Sequence, residues 1–162
     1  MHVRTICEVL SLLALANVSP IAVKNLAGAR WSWPVDGGLT FFDHRPLFGA
    51  SKTVRGVGSS VLITSIGAVV MGMDWDLGAK IAAWSMGGDL FSSFCKRRLG
   101  LAAGSRATGL DQIPEALFPV VAVHHALSLS VPDIAVIVAI FMIGEMGLSV
   151  LFFRWHLRER PY

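Results

Sequence analysis

Charge is scarce in this chain. Asp, Glu, Lys and Arg make up 15% of its 162 residues, against ~25% in ordinary soluble domains. With 54% of residues apolar, that scarcity excludes a normal soluble surface and points to a membrane protein. Cysteine is nearly absent as well. Cys7 and Cys95 lie far apart and form no Cys-x-x-Cys pair, so neither a metal-ligand spacing nor a disulfide framework exists, and both read as small apolar helix residues. A P-loop is also missing. Ser51 stands before Lys52-Thr53 where the motif needs Gly, Pro46 stands at its first Gly, and no strand-loop-helix unit surrounds them. The net charge of +3 and pI near 9.2 would suit nucleic acid, but the basic residues are spread over loops between long apolar runs. No soluble basic domain is visible, and no nucleic-acid partner is expected.

Those apolar runs are long enough to cross a bilayer. A hydrocarbon core of ~30 Å needs about 20 apolar residues per helix, and five segments qualify: 5–23, 56–73, 77–95, 115–131 and 133–153. The fourth is weakest, because His124, His125 and two serines interrupt it. Pro132-Asp133 breaks the pattern and reads as a fresh helix cap, so the last two spans form a hairpin. The expected fold is an all-α integral membrane protein of about five transmembrane helices with two functional loops, one domain over 1–162. Loop one (24–55) carries Lys24, Arg30, Arg45, Lys52 and Arg55. Loop three (96–114) carries Lys96, Arg97, Arg98 and Arg106, and the tail carries Arg154, Arg158 and Arg160. Only Arg4 and Lys80 fall on the other side. The positive-inside rule then predicts an N-terminus outside and a cytoplasmic C-terminus, in the cell (inner) membrane. Arg4 before an apolar run and the small residues Ala14-Leu15-Ala16 also resemble a signal peptide. The run continuing to Val23, and the basic loop after it, favour a retained span.

The third span ends on a polar stripe. Asp89, Ser92, Ser93, Lys96 and Arg97 recur at i, i+3, i+4, i+7 and i+8, which puts them on one helical face. An ionisable residue in a membrane helix is costly and marks a functional site by default. A carboxylate followed by cations on one face suits a divalent metal and a polyphosphate. Loop one is too long to be a plain connection and too aromatic to be disordered. Its Lys52, Thr53 and Arg55 suit phosphate oxygens, although cations at a helix start also serve as topology anchors. Loop three ends at Asp111-Gln112-Ile113-Pro114-Glu115, where Asp111 reads as a helix cap with Pro114 and Glu115 in the first turn.

Together these segments resemble the CDP-archaeol synthase family over nearly the whole chain. The resemblance runs through Ala16-Asn17-Val18-Ser19-Pro20, Pro34-Val35-Asp36-Gly37-Gly38, Asp43-His44-Arg45-Pro46-Leu47-Phe48-Gly49 and Lys52-Thr53-Val54-Arg55-Gly56. It continues through Gly88-Asp89-Leu90 and Ser93-Phe94-Cys95-Lys96-Arg97-Arg98-Leu99-Gly100 and closes at Asp111-Gln112. The order and spacing are specific where each piece alone is weak. Ser93-Phe94-Cys95-Lys96-Arg97 with Asp111 is also faintly similar to the signature of phosphatidate cytidylyltransferases. This chain departs from the family at His44, where Gly is usual, at Val54, where Trp is usual, and at Pro114, where a second aspartate is usual. Glu115, with its longer reach, is the candidate substitute.

The resemblance implies a five-span enzyme that transfers CMP from CTP to a lipid phosphate, an unsaturated ether lipid phosphate in archaea. A lipid phosphate oxygen attacks the α-phosphorus of CTP and pyrophosphate leaves. Two polyanions must meet, so positioning and charge neutralisation dominate, and the nucleophile arrives ionised, without need of a histidine base. Asp89, Lys96, Arg97 and Asp111 are the implied catalytic residues, with Asp89, Asp111 and Glu115 as Mg²⁺ ligands. Asp36, Asp43, Arg45, Lys52, Thr53, Arg55, Ser93, Arg98 and Gln112 are the implied nucleotide and phosphate contacts, Asp36 and Asp43 positioning either the nucleotide or a loop.

Other polar residues fit blander roles. Adjacent histidines on a helix point about 100° apart, so His124 and His125 make a poor chelating pair and read as packing or polar contacts. Glu145 needs a buried partner or protonation. Gly67 and Gly72 read as helix-packing positions. A small transporter, or an inactive lipid- or nucleotide-binding membrane protein, is the alternative. A transporter accounts for Asp89 and Glu145 but leaves the cationic loops idle.

Overall fold

The computed structural model describes residues 2–28, 30–105 and 107–154. Arg106, Arg158 and Arg160 of the basic loops and tail lie outside the described residues. The described chain is helical: α1 (Val3–Ala27), α2 (Val54–Val70), α3 (Trp75–Arg98), α4 (Gln112–Val123) and α5 (Val131–Arg154). Among the described residues there are no strands, only two isolated bridges, Pro34 with Thr53 and Thr40 with Pro46.

Each helix packs on the next in the chain, and α1 also touches α3 and α5. The core gathers Val9, Leu12 and Leu13 of α1, Ile81 of α3, Val120 of α4 and Ile137 of α5, all 0% exposed. The helix α2 is built the other way round from a soluble one. It buries Gly56, Ser60, Thr64 and Ala68 at steps of four and exposes Leu62, Ile66 and Val69. Small residues inside and large apolar residues outside is the membrane pattern, where lipid is as apolar as leucine and close backbone approach drives packing. Among the described residues, α1 alone is both long and apolar enough to cross a membrane by itself, while α2 and α4 are shorter apolar helices.

Pro20 shows how α1 and α2 are joined. A proline inside a helix has no N–H for the carbonyl four residues back. That carbonyl, of Ala16, accepts instead from the Ser60 hydroxyl of α2 at 2.8 Å, with Ser19 Oγ at 3.4 Å as a second donor. The Asn17-Val18-Ser19-Pro20 run is therefore an interhelical joint.

Several boundaries differ from those expected. The helix α4 stops at Val123, so His124 and His125 lie in the following turn. Their rings sit 3.9 Å apart at a 39° tilt. The cap of α5 is Ser130, not Asp133. Asp133 is the third helical residue, and its carboxylate accepts from the Ser130 N–H at 3.1 Å and hydroxyl at 2.7 Å, the reciprocal arrangement of a capping box. The same carboxylate accepts from the His2 backbone N–H at 3.3 Å and tethers the start of α1 to the start of α5. Gly67 does pack, since an added Cβ would lie 2.4 Å from the Leu15 side chain. Gly72 does not pack. It has open space around it and φ of +77°, so it makes the turn after α2.

Candidate functional site at the loop end of the bundle

Loop one is ordered by its own polar groups. The Asp36 carboxylate accepts backbone N–H bonds from Gly38, Phe48 and Gly49, each at 3.0 Å. Burial alone would push its pKa up, but these N–H groups outweigh burial and hold it below the usual value. Val35 N–H donates to the Lys52 carbonyl at 2.8 Å and Val54 N–H to the Trp33 carbonyl at 2.9 Å, which folds the loop back on itself. Thr53 then caps α2, its hydroxyl accepting from Gly56 N–H at 3.2 Å. The Arg55 guanidinium reaches back to the carbonyls of Gly28 and Arg30. The tip carries His44 at φ +58°, a left-handed position that glycine adopts freely.

This folded loop docks on the end of α3 through a reciprocal pair of arginines. Arg45 donates to the Arg97 and Arg98 carbonyls at 3.2 and 2.9 Å, satisfying the open end of the helix. Arg98 donates to the Arg45 and Pro46 carbonyls at 3.2 and 2.7 Å and pairs with Asp43 at 3.1 Å. Its guanidinium also lies over Phe41 and Phe94, 4.9 and 4.8 Å from the ring centroids. Asp43, Arg45 and Arg98 thus hold loop one on α3.

The docking delivers Lys52 to the polar stripe. Its ammonium lies 2.5 Å from both carboxylate oxygens of Asp89. Burial would lower the Lys52 pKa, but Asp89, with Glu115 and Asp111 behind it, holds it above the usual value. Further along the stripe, Lys96 pairs with Asp111 at 2.7 Å and donates to the Ser105 carbonyl at 2.8 Å. Asp111 stands just before α4 but does not cap it. Its other oxygen accepts from Ala107 N–H at 2.9 Å, while the Gln112 side-chain oxygen accepts from Gly109 N–H at 2.7 Å. Arg97 donates to the Ala102 carbonyl at 2.7 Å, and its Nε is buried without a hydrogen-bond partner among the described residues. Ser92 and Ser93 are buried on the same face, with the Ser92 hydroxyl donating to the Asp89 carbonyl at 2.9 Å. An open cleft of about 340 Å³, lined by Arg45, Pro46, Arg97, Gly100, Leu101 and Ala103, adjoins this cluster.

Glu115 is buried, and the charges acting on it come from Asp89, Glu145, Lys52 and Asp111. What places it there is Gly88. A Cβ at Gly88 would fall 2.2 Å from the Pro114 carbonyl oxygen and 2.7 Å from the Glu115 nitrogen, so the first turn of α4 rests directly on the α3 backbone. The sequence signal for this contact is a glycine in a helix interior beside the first carboxylate of the polar stripe, where glycine costs ~1 kcal/mol relative to alanine without a packing reason.

The donors gathered here are oxygens, the type that suits Mg²⁺, and a cation, the Lys52 ammonium, already lies on Asp89. The donor set is of the kind a hard divalent ion takes. Among the described residues, no three His, Cys, Asp or Glu side chains are arranged to hold a metal by themselves.

Fold and site together define a class: an apolar helical bundle that assembles carboxylates and cations against one end of its helices. Comparison with known proteins gives the family. The profile of the CarS-like CDP-archaeol synthases matches residues 77–162. The CDP-archaeol synthase of Sulfurisphaera tokodaii is 32% identical over 154 residues, covering 91% of this chain and 89% of that protein. The CDP-archaeol synthase of Thermococcus onnurineus is 38% identical over 109 residues, 60% of this chain and 61% of that protein. A solved structure of an intramembrane enzyme for archaeal membrane lipids biosynthesis superposes with a TM-score of 0.64 at 29% identity, covering 86% of this chain and 91% of that one. The chain belongs to the CDP-archaeol synthase family.

Proposed function

We propose that this chain is a single membrane-embedded transferase domain that moves CMP from CTP to a membrane lipid phosphate, releasing pyrophosphate and forming a CDP-activated lipid. In a chain of this family, the observation that carries the site assignment is the meeting of loop-one Lys52 with α3 Asp89, beside Lys96, Asp111 and Glu115. The lipid phosphate oxygen forms a bond to the α-phosphorus of CTP, and the bond from that phosphorus to the bridging oxygen of pyrophosphate breaks. No proton has to be removed from the nucleophile.

The chain's residues have separable tasks in this reading. Lys52 and Arg97 face phosphate oxygens, Arg97 with its buried, unpaired N–H beside the cleft. Asp89 would hold Mg²⁺, with Asp111 and Glu115 next to it, and a divalent ion held there would supply neutralisation of phosphate charge. Asp36, Asp43, Arg45, Thr53, Arg55, Arg98 and Gln112 act through the loops, because each binds backbone or side-chain groups of the chain itself, although Arg55 Nε and Arg98 Nη1 are also buried without a hydrogen-bond partner among the described residues. The lipid tails lie among the apolar helices, whose outer faces expose Leu62, Ile66 and Ile143.

Purified protein given CTP, Mg²⁺ and a panel of lipid phosphates, including unsaturated ether lipids, should release pyrophosphate and form one CDP-lipid preferentially. A folded protein that yields neither product with any lipid phosphate would overturn this function.

A further inference from the structure

Every carboxylate oxygen of Asp89 and Asp111 faces a partner within the chain. Asp89 has the Lys52 ammonium on both of its oxygens at 2.5 Å. Asp111 has Lys96 at 2.7 Å on one oxygen and Ala107 N–H at 2.9 Å on the other. A divalent cation entering alone would meet the Lys52 ammonium on its anchoring carboxylate, and like charges in a partly buried site repel strongly. It would also lack ligands, since no acidic cage is preformed among the described residues.

A nucleotide polyphosphate removes both obstacles. Its oxygens can accept the Lys52 ammonium, which frees Asp89, and can complete a coordination shell that Mg²⁺ commonly shares between carboxylates, phosphates and water. The exchange needs little motion. The Lys52 backbone is held by its N–H to the Gly49 carbonyl at 3.1 Å and by its own carbonyl from Val35 N–H at 2.8 Å. Thr53 is fixed as the α2 cap. Only the lysine side chain has to swing, a rotamer change on the fast timescale of side-chain motion.

We infer that Lys52 makes metal entry depend on nucleotide: it closes Asp89 in the free protein and passes to the phosphates when CTP arrives. This rests on the proposed reading of Asp89 as the metal anchor. Lys52 is then more than a phosphate contact, because it also excludes free metal.

The probes are Mn²⁺ alone, followed by electron paramagnetic resonance, and CTP in EDTA, followed by calorimetry, both on the full chain in detergent. Lys52→Met keeps the length of the side chain and removes its charge. It should bind Mn²⁺ alone about tenfold tighter than the unsubstituted protein, the weight of one relieved like-charge contact, and should bind CTP in EDTA more weakly. Those opposite signs separate gating from damage to the fold. Lys52→Arg, which keeps a cation, should stay weak for Mn²⁺ alone. Equal Mn²⁺ affinity in the unsubstituted protein and Lys52→Met would overturn the inference. Asp89→Asn tests the reading beneath it. If Asp89→Asn keeps CTP-dependent Mn²⁺ binding, the anchor assignment is wrong. If it loses that binding while Lys52→Met gains nothing, the gate alone is wrong.

Discussion

A single missing Cβ decides whether the carboxylates meet. With the Pro114 carbonyl oxygen 2.2 Å from where a Gly88 Cβ would stand, the obstacle is backbone and cannot rotate away. Gly88→Ala is expected to push α4 off α3 and to lower turnover by at least ~tenfold while the protein still inserts, a difference of ~1.4 kcal/mol in the barrier. Parallel measurements of CDP-lipid formation and membrane yield check it, and unchanged turnover would show that the contact is not needed. Asp36 acts at the same scale through charge. Its folded pKa lies below the unfolded one, so its contribution is present above the unfolded value, ~3.9, and is lost as pH falls through the folded value. Limited proteolysis of loop one across pH 3 to 7 should show the loop loosening at the acid end. In Asp36→Asn the loop should be looser at neutral pH and lack that acid step. His44 stands in a left-handed backbone conformation that glycine adopts freely, and the tip keeps its turn because Asp43 accepts the Arg45 N–H at 3.1 Å.

Between elements, the joint at Pro20 carries the clearest consequence. Ser60→Ala would leave the buried Ala16 carbonyl with only the long Ser19 contact. An unsatisfied buried polar group costs ~1–3 kcal/mol, so the thermal midpoint in detergent should fall. Adding Pro20→Ala should recover much of the loss, because residue 20 then has an N–H for that carbonyl. Absence of rescue would mean that Pro20 serves the bend of α1 rather than the joint. The loops follow the same logic of mutual satisfaction. Arg45 and Arg98, which the family resemblance implied at phosphates, each donate to the other's backbone carbonyl. Isolated guanidinium groups in a sequence look free, but a helix end always offers open carbonyls, and loop one lies close enough for the two segments to exchange donors.

For the whole molecule, the alternation of helices brings the ends of α1 and α3 and the starts of α2 and α4 to the site, while the His2–Asp133 contact marks the opposite end. The charge bias predicts that the site end is cytoplasmic. Reporter fusions after Met73 and after Tyr162 should respectively read as exported and cytoplasmic, and an exported reporter at Tyr162 would reverse the orientation. With that orientation CTP would reach the cleft from the cytoplasm.

Helix number and order were legible in the sequence because apolar runs separated by charged segments are read residue by residue, although among the described residues α1 alone is long and apolar enough to cross a membrane by itself. The stripe from Asp89 to Arg97 was legible for the same reason, since helical periodicity is local. The family resemblance followed from short motifs kept in order. Tertiary structure decided the rest. It turned Thr53 into a cap, gave the α5 cap to Ser130, ended α4 before the histidines, and joined Lys52 to an aspartate 37 positions away. Hydrogen-bond partners and counterions are chosen by proximity in space, and proximity here depends on backbones meeting at Gly88 and on a loop folded around Asp36, neither of which any periodicity encodes.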